Sequence, residues 1–112
     1  MPEKTLMTEE VKGRVLDDLL TPEVRDFCAQ QGILKYVPTA IDLAKQHFSS
    51  IQDIYLRLED DPEAGEEWLM IDVTVHGEVD EVVKSHNDYI ADWVSLVPWP
   101  ERDKVRLSYN IQ

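Results

Sequence analysis

The side chains best suited to catalysis or metal binding in this chain are three histidines, His47, His76 and His86. None shows the H-x-x-x-H or H-E-x-x-H spacing of a zinc site, and a single cysteine offers no thiolate cluster. Asp72 and His76 share one face of an alternating segment, but four residues of strand rise separate them by about 13 Å. A base and its orienting carboxylate must lie within about 3 Å of each other. Local dyads are therefore excluded, whereas dyads between residues distant in the sequence stay open. We assign no catalytic residue, no metal and no cofactor.

His86 is the least expected of the three, because it interrupts an apolar stripe on a long predicted helix. One interpretation makes it a core histidine, hydrogen-bonded to a backbone carbonyl or a tyrosine hydroxyl. The alternative is a small-molecule pocket between the helix over 78–97 and the sheet. The predicted lining of that pocket is His86, Tyr89, Trp93 and Tyr109.

A second candidate surface is the polar face of the predicted sheet. Aromatic residues, methionine and arginine, which are enriched at protein interfaces, occur together there. The candidate binding residues are Tyr55, Arg57, Trp68, Met70, Asp72, His76, Arg106 and Asn110. An alternative is that Arg57, Asp72 and Arg106 only form a surface ion-pair ladder that adds little stability. Trp99, held between two prolines, either packs over a sheet edge or anchors a partner.

Motifs for several common chemistries are missing from the sequence. Its four glycines are isolated, so it has no glycine-rich phosphate loop, and it has no G-x-S-x-G elbow. The acidic segment 60–67 lacks the spacing of an EF-hand calcium loop, and Pro62 interrupts it. These absences argue against nucleotide binding, serine-hydrolase chemistry and a calcium loop.

Acidic side chains outnumber basic ones by 23 to 11, which gives a net charge of −12. The excess is concentrated in residues 51–92, where 13 acids accompany only Arg57 and Lys84. A field of this sign repels phosphate backbones and anionic lipid, which disfavours direct binding to nucleic acid or to a membrane surface. The carboxylates either keep a small protein soluble or steer a basic protein partner toward it.

Three helices are predicted before any strand. They span residues 8–48, behind a stretch at 1–7 that we expect to be flexible. The second helix carries the clearest end signals, with Thr21 as its N-cap, Pro22 at its first position and Gly32 as its left-handed stop.

Alternating apolar and polar residues predict strands at about 51–59, 67–77 and 105–111, with a hairpin loop over 60–67 and a helix over 78–97. The β-α-β crossover predicts that the third strand runs parallel to the second. If the third strand returns beside the first, the sheet order is 2-1-3. Each strand has one apolar face, so helices should cover one side only. We expect an α+β fold, a two-layer sandwich of three N-terminal helices followed by β-β-α-β. Its three-stranded mixed sheet should have one open face.

Length and cysteine content suggest a single domain over residues 1–112 in a reducing cytoplasm. Cys28, the only cysteine, lies on an apolar helical stripe, where a buried and unreactive thiol is expected. No secretory leader and no apolar run of membrane-spanning length is recognisable. The general pattern resembles short bacterial proteins, and no motif in it is specific enough to identify a family.

The primary hypothesis is a non-enzymatic interaction protein that binds a basic protein, as an antitoxin, an immunity protein or a regulatory subunit does. It depends on the acidic 51–92 segment and on the lack of assembled catalytic residues. One alternative is a small-molecule binder or enzyme that uses the pocket at His86. Another is a homo-oligomer formed through the sheet face or an exposed strand edge.

Overall fold

The structure, a computed structural model, describes residues 19–112. Its elements are α1 (Pro22–Gln31), a 3₁₀ turn at Leu34–Tyr36, α2 (Val37–His47), β1 (Ile51–Asp61), β2 (Glu66–Val75), α3 (Val79–Leu96), a 3₁₀ turn at Glu101–Lys104 and β3 (Val105–Ile111). Within the described range the protein is therefore α+β, with three helices and a mixed three-stranded sheet. The predicted flexible stretch 1–7 and almost all of the helix predicted ahead of Thr21 lie outside the described residues.

The ends of α1 are those that the sequence predicts. The Thr21 hydroxyl accepts a hydrogen bond from the Val24 N–H at 3.4 Å, and Pro22 occupies the first helical position. Gly32 ends the helix with φ of 72°, a left-handed conformation that costs glycine little. Cys28 is fully buried on this helix, and burial raises the pKa of its thiol to about 11. The thiol is therefore protonated and shielded at neutral pH, as predicted.

The strand order is β1-β2-β3, with β2 antiparallel to β1 and parallel to β3. The predicted parallel direction of β3 is confirmed. The condition for the order 2-1-3 is not met, because β3 lies beside β2 and not beside β1. The inner side chains of β2 are almost completely buried, while Leu56 and Leu58 of β1 are only half-buried. The strand with the more apolar inner face takes the centre, because a central strand is shielded by a neighbour on each side.

The hairpin between β1 and β2 is longer than predicted, and its loop is shorter. Strand pairing continues to Asp61 and resumes at Glu66, which leaves a turn of four residues, 62–65. The Asp61 carboxylate accepts hydrogen bonds from the N–H groups of Glu63 and Ala64, and this local bonding stabilises the turn. Gly65 closes the turn with φ of 68°. The acidic segment therefore belongs largely to paired strands.

One hydrophobic core joins the helices to the inner face of the sheet. Its sheet members are Ile54, Leu69, Ile71, Val73, Val75 and Val105, and its helical members include Val24, Phe27, Ile41, Ala44, Val82, Tyr89 and Trp93. α2 and α3 are further linked by the His47 imidazole, which lies 2.7 Å from the Asp92 carboxylate. That bond adds a polar contact between two helices which the sequence pattern did not reveal.

The fold predicts a large cost for truncating the centre of β2. Ile71 is fully buried, so Ile71→Ala should lower the free energy of unfolding by about 3 kcal/mol through lost apolar contacts and the cavity left behind. Leu96→Ala, at a mostly exposed position on α3, should change it by less than about 0.5 kcal/mol. Equilibrium denaturation of the two variants measures the difference, and similar losses in both would contradict this view of the core.

Candidate functional site

The sheet face turned away from the core, here called the second sheet face, gathers most of the predicted binding residues. The antiparallel and parallel registers place Arg57, Met70 and Arg106 in one row across the three strands. A neighbouring row holds Tyr55, Asp72 and Ser108, and Asn110 lies opposite Thr74 in a third. None of these side chains is buried, so the face presents a mixed polar surface.

Asp72 is the centre of hydrogen bonding on this face. Its carboxylate accepts hydrogen bonds from the Arg57 guanidinium and from the Ser108 hydroxyl. Partial burial would raise the pKa of the Asp72 carboxyl, but the bonds from Arg57 and Ser108 outweigh burial and hold that pKa below its ordinary value. The Arg57 guanidinium also pairs with Glu59, so its charge is already engaged within the face.

Arg106 belongs to a separate set of contacts. Its guanidinium carbon lies 4.0 Å from the centre of the Trp68 ring, a cation–π arrangement. Its nitrogens also donate to the Asp103 carbonyl at 3.0 Å and lie 3.3 and 3.5 Å from the carboxylates of Asp103 and Glu66. The ion-pair ladder predicted from Arg57 through Asp72 to Arg106 therefore stops at Asp72.

His76 lies apart from the other predicted residues of this face. β2 ends at Val75, and the exposed His76 imidazole donates through Nδ1 to the Gln112 carbonyl at 3.0 Å. Asp72 and His76 thus bond to different groups, as their spacing along the strand predicted. On this face of the described strands, no histidine base lies beside a carboxylate.

Carboxylates crowd the end of the β1–β2 hairpin, a cluster we call the acidic hairpin end. Its members are Asp60, Asp61, Glu63, Glu66 and Glu67, all of them exposed. Pairing places Asp60 directly opposite Glu67 and Asp61 directly opposite Glu66. Like charges directly opposite in a sheet destabilise it. This juxtaposition depends on the register and on the length of the hairpin, which the sequence pattern did not predict.

A groove of about 340 Å³ lies between α3, β3 and the turn that joins them. It is lined by His86, Tyr89, Ile90, Trp93, Val94, Trp99, Arg102, Asp103, Val105, Arg106 and Leu107. Three of the four residues predicted for a pocket, His86, Tyr89 and Trp93, line it together. Tyr109, the fourth, is not in the lining. The centre of its ring lies 5.1 Å from that of His86 and 6.2 Å from that of Phe48.

His86 is half-buried at the wall of this groove. Burial lowers the pKa of its imidazole, which favours the neutral form near neutral pH. Within the described part of the chain its ring contacts Tyr109, and no hydrogen bond joins it to a carbonyl or a tyrosine hydroxyl. The structure therefore differs from the hydrogen-bonded core histidine that one sequence interpretation expected.

Tyr89 and Trp93 form the floor of the groove. Their rings stack with 6.3 Å between centres, and the Trp93 indole N–H donates to the Arg102 carbonyl at 3.0 Å. Tyr89 is 1% exposed, and its hydroxyl has no hydrogen-bond partner among residues 19–112. The same holds for the buried indole N–H of Trp68. Burial also raises the pKa of Tyr89 well above its ordinary value, so the unpaired group is a neutral hydroxyl.

Two residues of the rim are Arg102, which sequence patterns missed, and Trp99, which they indicated either as packed over a sheet edge or as an anchor for a partner. Arg102 donates to the Val94 carbonyl at 3.3 Å, and no carboxylate of the described chain forms an ion pair with it. Trp99 is 70% exposed, so the expectation that it packs over a sheet edge is wrong. The two prolines around Trp99 indicated a stiff joint, and no local signal showed that the joint borders a groove.

The described residues offer no group of three His, Cys, Asp or Glu side chains that could hold a metal ion. In the same range, no helix is long and apolar enough to cross a membrane. Comparison of the chain with protein-family models, curated proteins and solved structures found no match.

The bonds around Asp72 predict a specific dependence of stability on pH. Asp72→Asn should lower the free energy of unfolding by about 1 kcal/mol at neutral pH. Because the pKa of Asp72 is lower in the folded than in the unfolded chain, its contribution is complete above about pH 4 and is lost as the pH falls through the folded value. Denaturant titrations at several pH values should show the two proteins converging in acid. A difference that is constant with pH would contradict this assignment.

The unpaired hydroxyl of Tyr89 predicts a stabilising substitution. Tyr89→Phe removes a buried polar group that has no partner, so the free energy of unfolding should rise by about 1 kcal/mol. Tyr109→Phe is the matched control, because Tyr109 is only half-buried, and it should have an effect within about 0.5 kcal/mol. Thermal and denaturant unfolding of both variants tests this, and a loss of stability in Tyr89→Phe would show that the hydroxyl has a partner.

Proposed function

We propose that this chain is a non-enzymatic interaction protein that binds a basic protein through the acidic hairpin end and the adjoining second sheet face. The observation that carries the proposal is the direct opposition of Asp60 to Glu67 and of Asp61 to Glu66. Each opposed pair costs stability in the free protein. Lysine and arginine side chains from a partner would relieve that repulsion, which gives the carboxylates a role that folding alone does not supply.

The local cations compensate only part of this negative charge. Arg106 lies 3.5 Å from Glu66, and Arg57 pairs with Glu59 and Asp72, further along the strands. No cation of the described chain pairs with Asp60, Glu63 or Glu67. Three exposed carboxylates are therefore available to a partner, inside the segment 51–92 that carries most of the net charge of −12.

Charge of this kind acts on the rate and specificity of association. A concentrated negative field accelerates the approach of a basic protein and rejects acidic ones, with an effect that decreases as salt is added. The concentrated negative charge supports a function in masking the basic surface of another protein, as antitoxins, immunity proteins and regulatory subunits do. We place the interaction in the cytoplasm, because the single cysteine is a buried thiol.

The proposal predicts opposite changes in stability and in binding for one double variant. Asp60→Asn with Glu67→Gln removes a repulsive pair, so the free energy of unfolding should rise by about 0.5 kcal/mol. The same variant should retain less of the basic partner in affinity capture from an extract of the organism that encodes the chain. Denaturation and quantitative mass spectrometry of captured proteins, at low and high ionic strength, measure the two effects.

A matched control distinguishes the effect of charge at the hairpin end from the effect of net charge on the whole chain. Asp26→Asn with Asp42→Asn removes the same two charges from exposed positions on α1 and α2, and should leave capture unchanged. The proposal fails if no basic protein is retained at low ionic strength. It also fails if the hairpin variant and the control capture the partner equally well.

A further inference from the structure

The outer edge of β3 is a second candidate interaction surface. It adjoins the acidic hairpin end at Arg106, which lines the groove and lies 3.5 Å from Glu66. β3 pairs with β2 on one side, and no strand of the described range pairs with its other side. The Gln112 N–H donates to the Val75 carbonyl at 2.9 Å. Because backbone groups alternate along a strand, the N–H groups of Leu107, Tyr109 and Ile111 point away from β2. This edge therefore presents a row of donors and acceptors.

β3 has few of the features that normally prevent edge-to-edge pairing. Natural edge strands are protected by charges, prolines or bulges. Residues 107–112 carry no charge and no proline, and the ladder to β2 runs without a register shift. β1 differs, because it contains five charged side chains and an irregularity between Ile51 and Asp53. Features that prevent edge-to-edge pairing are thus frequent on β1 and scarce on β3, where Arg106 is the single charged residue.

An apolar stripe on α3 runs beside this edge. Its members, spaced so that they share one face of the helix, are Val79, Val83, Ile90 and Val94, all exposed. Ile90 and Val94 line the groove together with Leu107 of β3, so this half of the stripe and the strand edge form one continuous surface. The exposed Trp99 lies at the rim of the same groove. Contiguous apolar surface of this kind marks interaction sites.

The distribution of charge favours a second copy of this chain as the occupant. Two molecules of net charge −12 repel each other across their acidic segments. The α3–β3 surface is the exception, because the charged residues that line the groove are Arg102, Asp103 and Arg106. These three side chains carry two positive charges and one negative charge, so a basic partner is not attracted there. A second copy meets less carboxylate repulsion there than at the acidic hairpin end, and it contributes the same apolar stripe and strand edge.

We propose that two copies of the chain pair antiparallel along their β3 edges about a two-fold axis. The two sheets then join into one of six strands, and the α3 stripes of the copies face each other across the axis. Backbone hydrogen bonds from Leu107, Tyr109 and Ile111 and burial of Ile90 and Val94 stabilise the dimer. The acidic hairpin ends take no part in this contact.

Sedimentation velocity over a range of protein concentrations tests the proposal. The wild-type chain should shift from monomer to a species of twice its mass as concentration rises. Ile90→Glu with Val94→Glu should remain monomeric, because it places carboxylates in the apolar contact. Leu96→Glu is the control: Leu96 is also exposed on α3 but lies about 120° around the helix from Ile90, so the variant should still dimerise.

Amide hydrogen exchange provides a readout that needs no substitution. In the dimer the N–H groups of Leu107, Tyr109 and Ile111 should become protected as concentration rises, while protection of Ile71 at the centre of the sheet stays constant. Protected Ile71 in the double glutamate variant shows that it is folded. A wild-type chain that is monomeric at every concentration overturns the proposal and leaves the surface to a different protein or an apolar ligand. A dimer with those amides unprotected, or one that survives the double variant, also overturns it.

Discussion

The burial of one face of β2 is the constraint on which the other features depend. Leu69, Ile71, Val73 and Val75 are all removed from water. β1 and β3 flank the strand, and the helices cover its inner face. Because side chains alternate across a strand, burying this set forces the polar side chains of all three strands onto the second sheet face.

The same pairing decides where charge accumulates. Continuing the antiparallel ladder to Asp61 and Glu66 extends the hairpin beyond its apolar part and sets carboxylates opposite one another. On the parallel side, α3 must cross from the end of β2 to the start of β3. This crossing leaves a groove where helix, turn and strand edge meet. Two surfaces of different chemistry thus arise on one small sheet, one acidic and one largely apolar, and Arg106 borders both.

Several features of these surfaces do not serve the stability of the isolated chain. The opposed carboxylates repel, the Tyr89 hydroxyl and the Trp68 indole N–H are buried without partners in the described chain, and Trp99 remains in water. Each costs of the order of 1 kcal/mol in a molecule whose total stability is only about 5–15 kcal/mol. Costs of this kind collect at functional positions, and here two of the four lie at the α3–β3 groove.

Local structure could be predicted from the amino-acid sequence. The ends of α1 at Thr21 and Gly32, the buried thiol of Cys28 and the alternation of β2 follow from capping, periodicity and hydrophobicity, which act over a few residues. Contacts between residues that are distant in the sequence could not be predicted from it. Three examples are the central position of β2, the bond from His47 to Asp92 and the place of Arg102 at the rim of the groove. Each depends on contacts between residues whose spacing in the chain carries no periodic signal. Such contacts depend on how much apolar surface each competing arrangement buries, and that total is a property of the packed molecule.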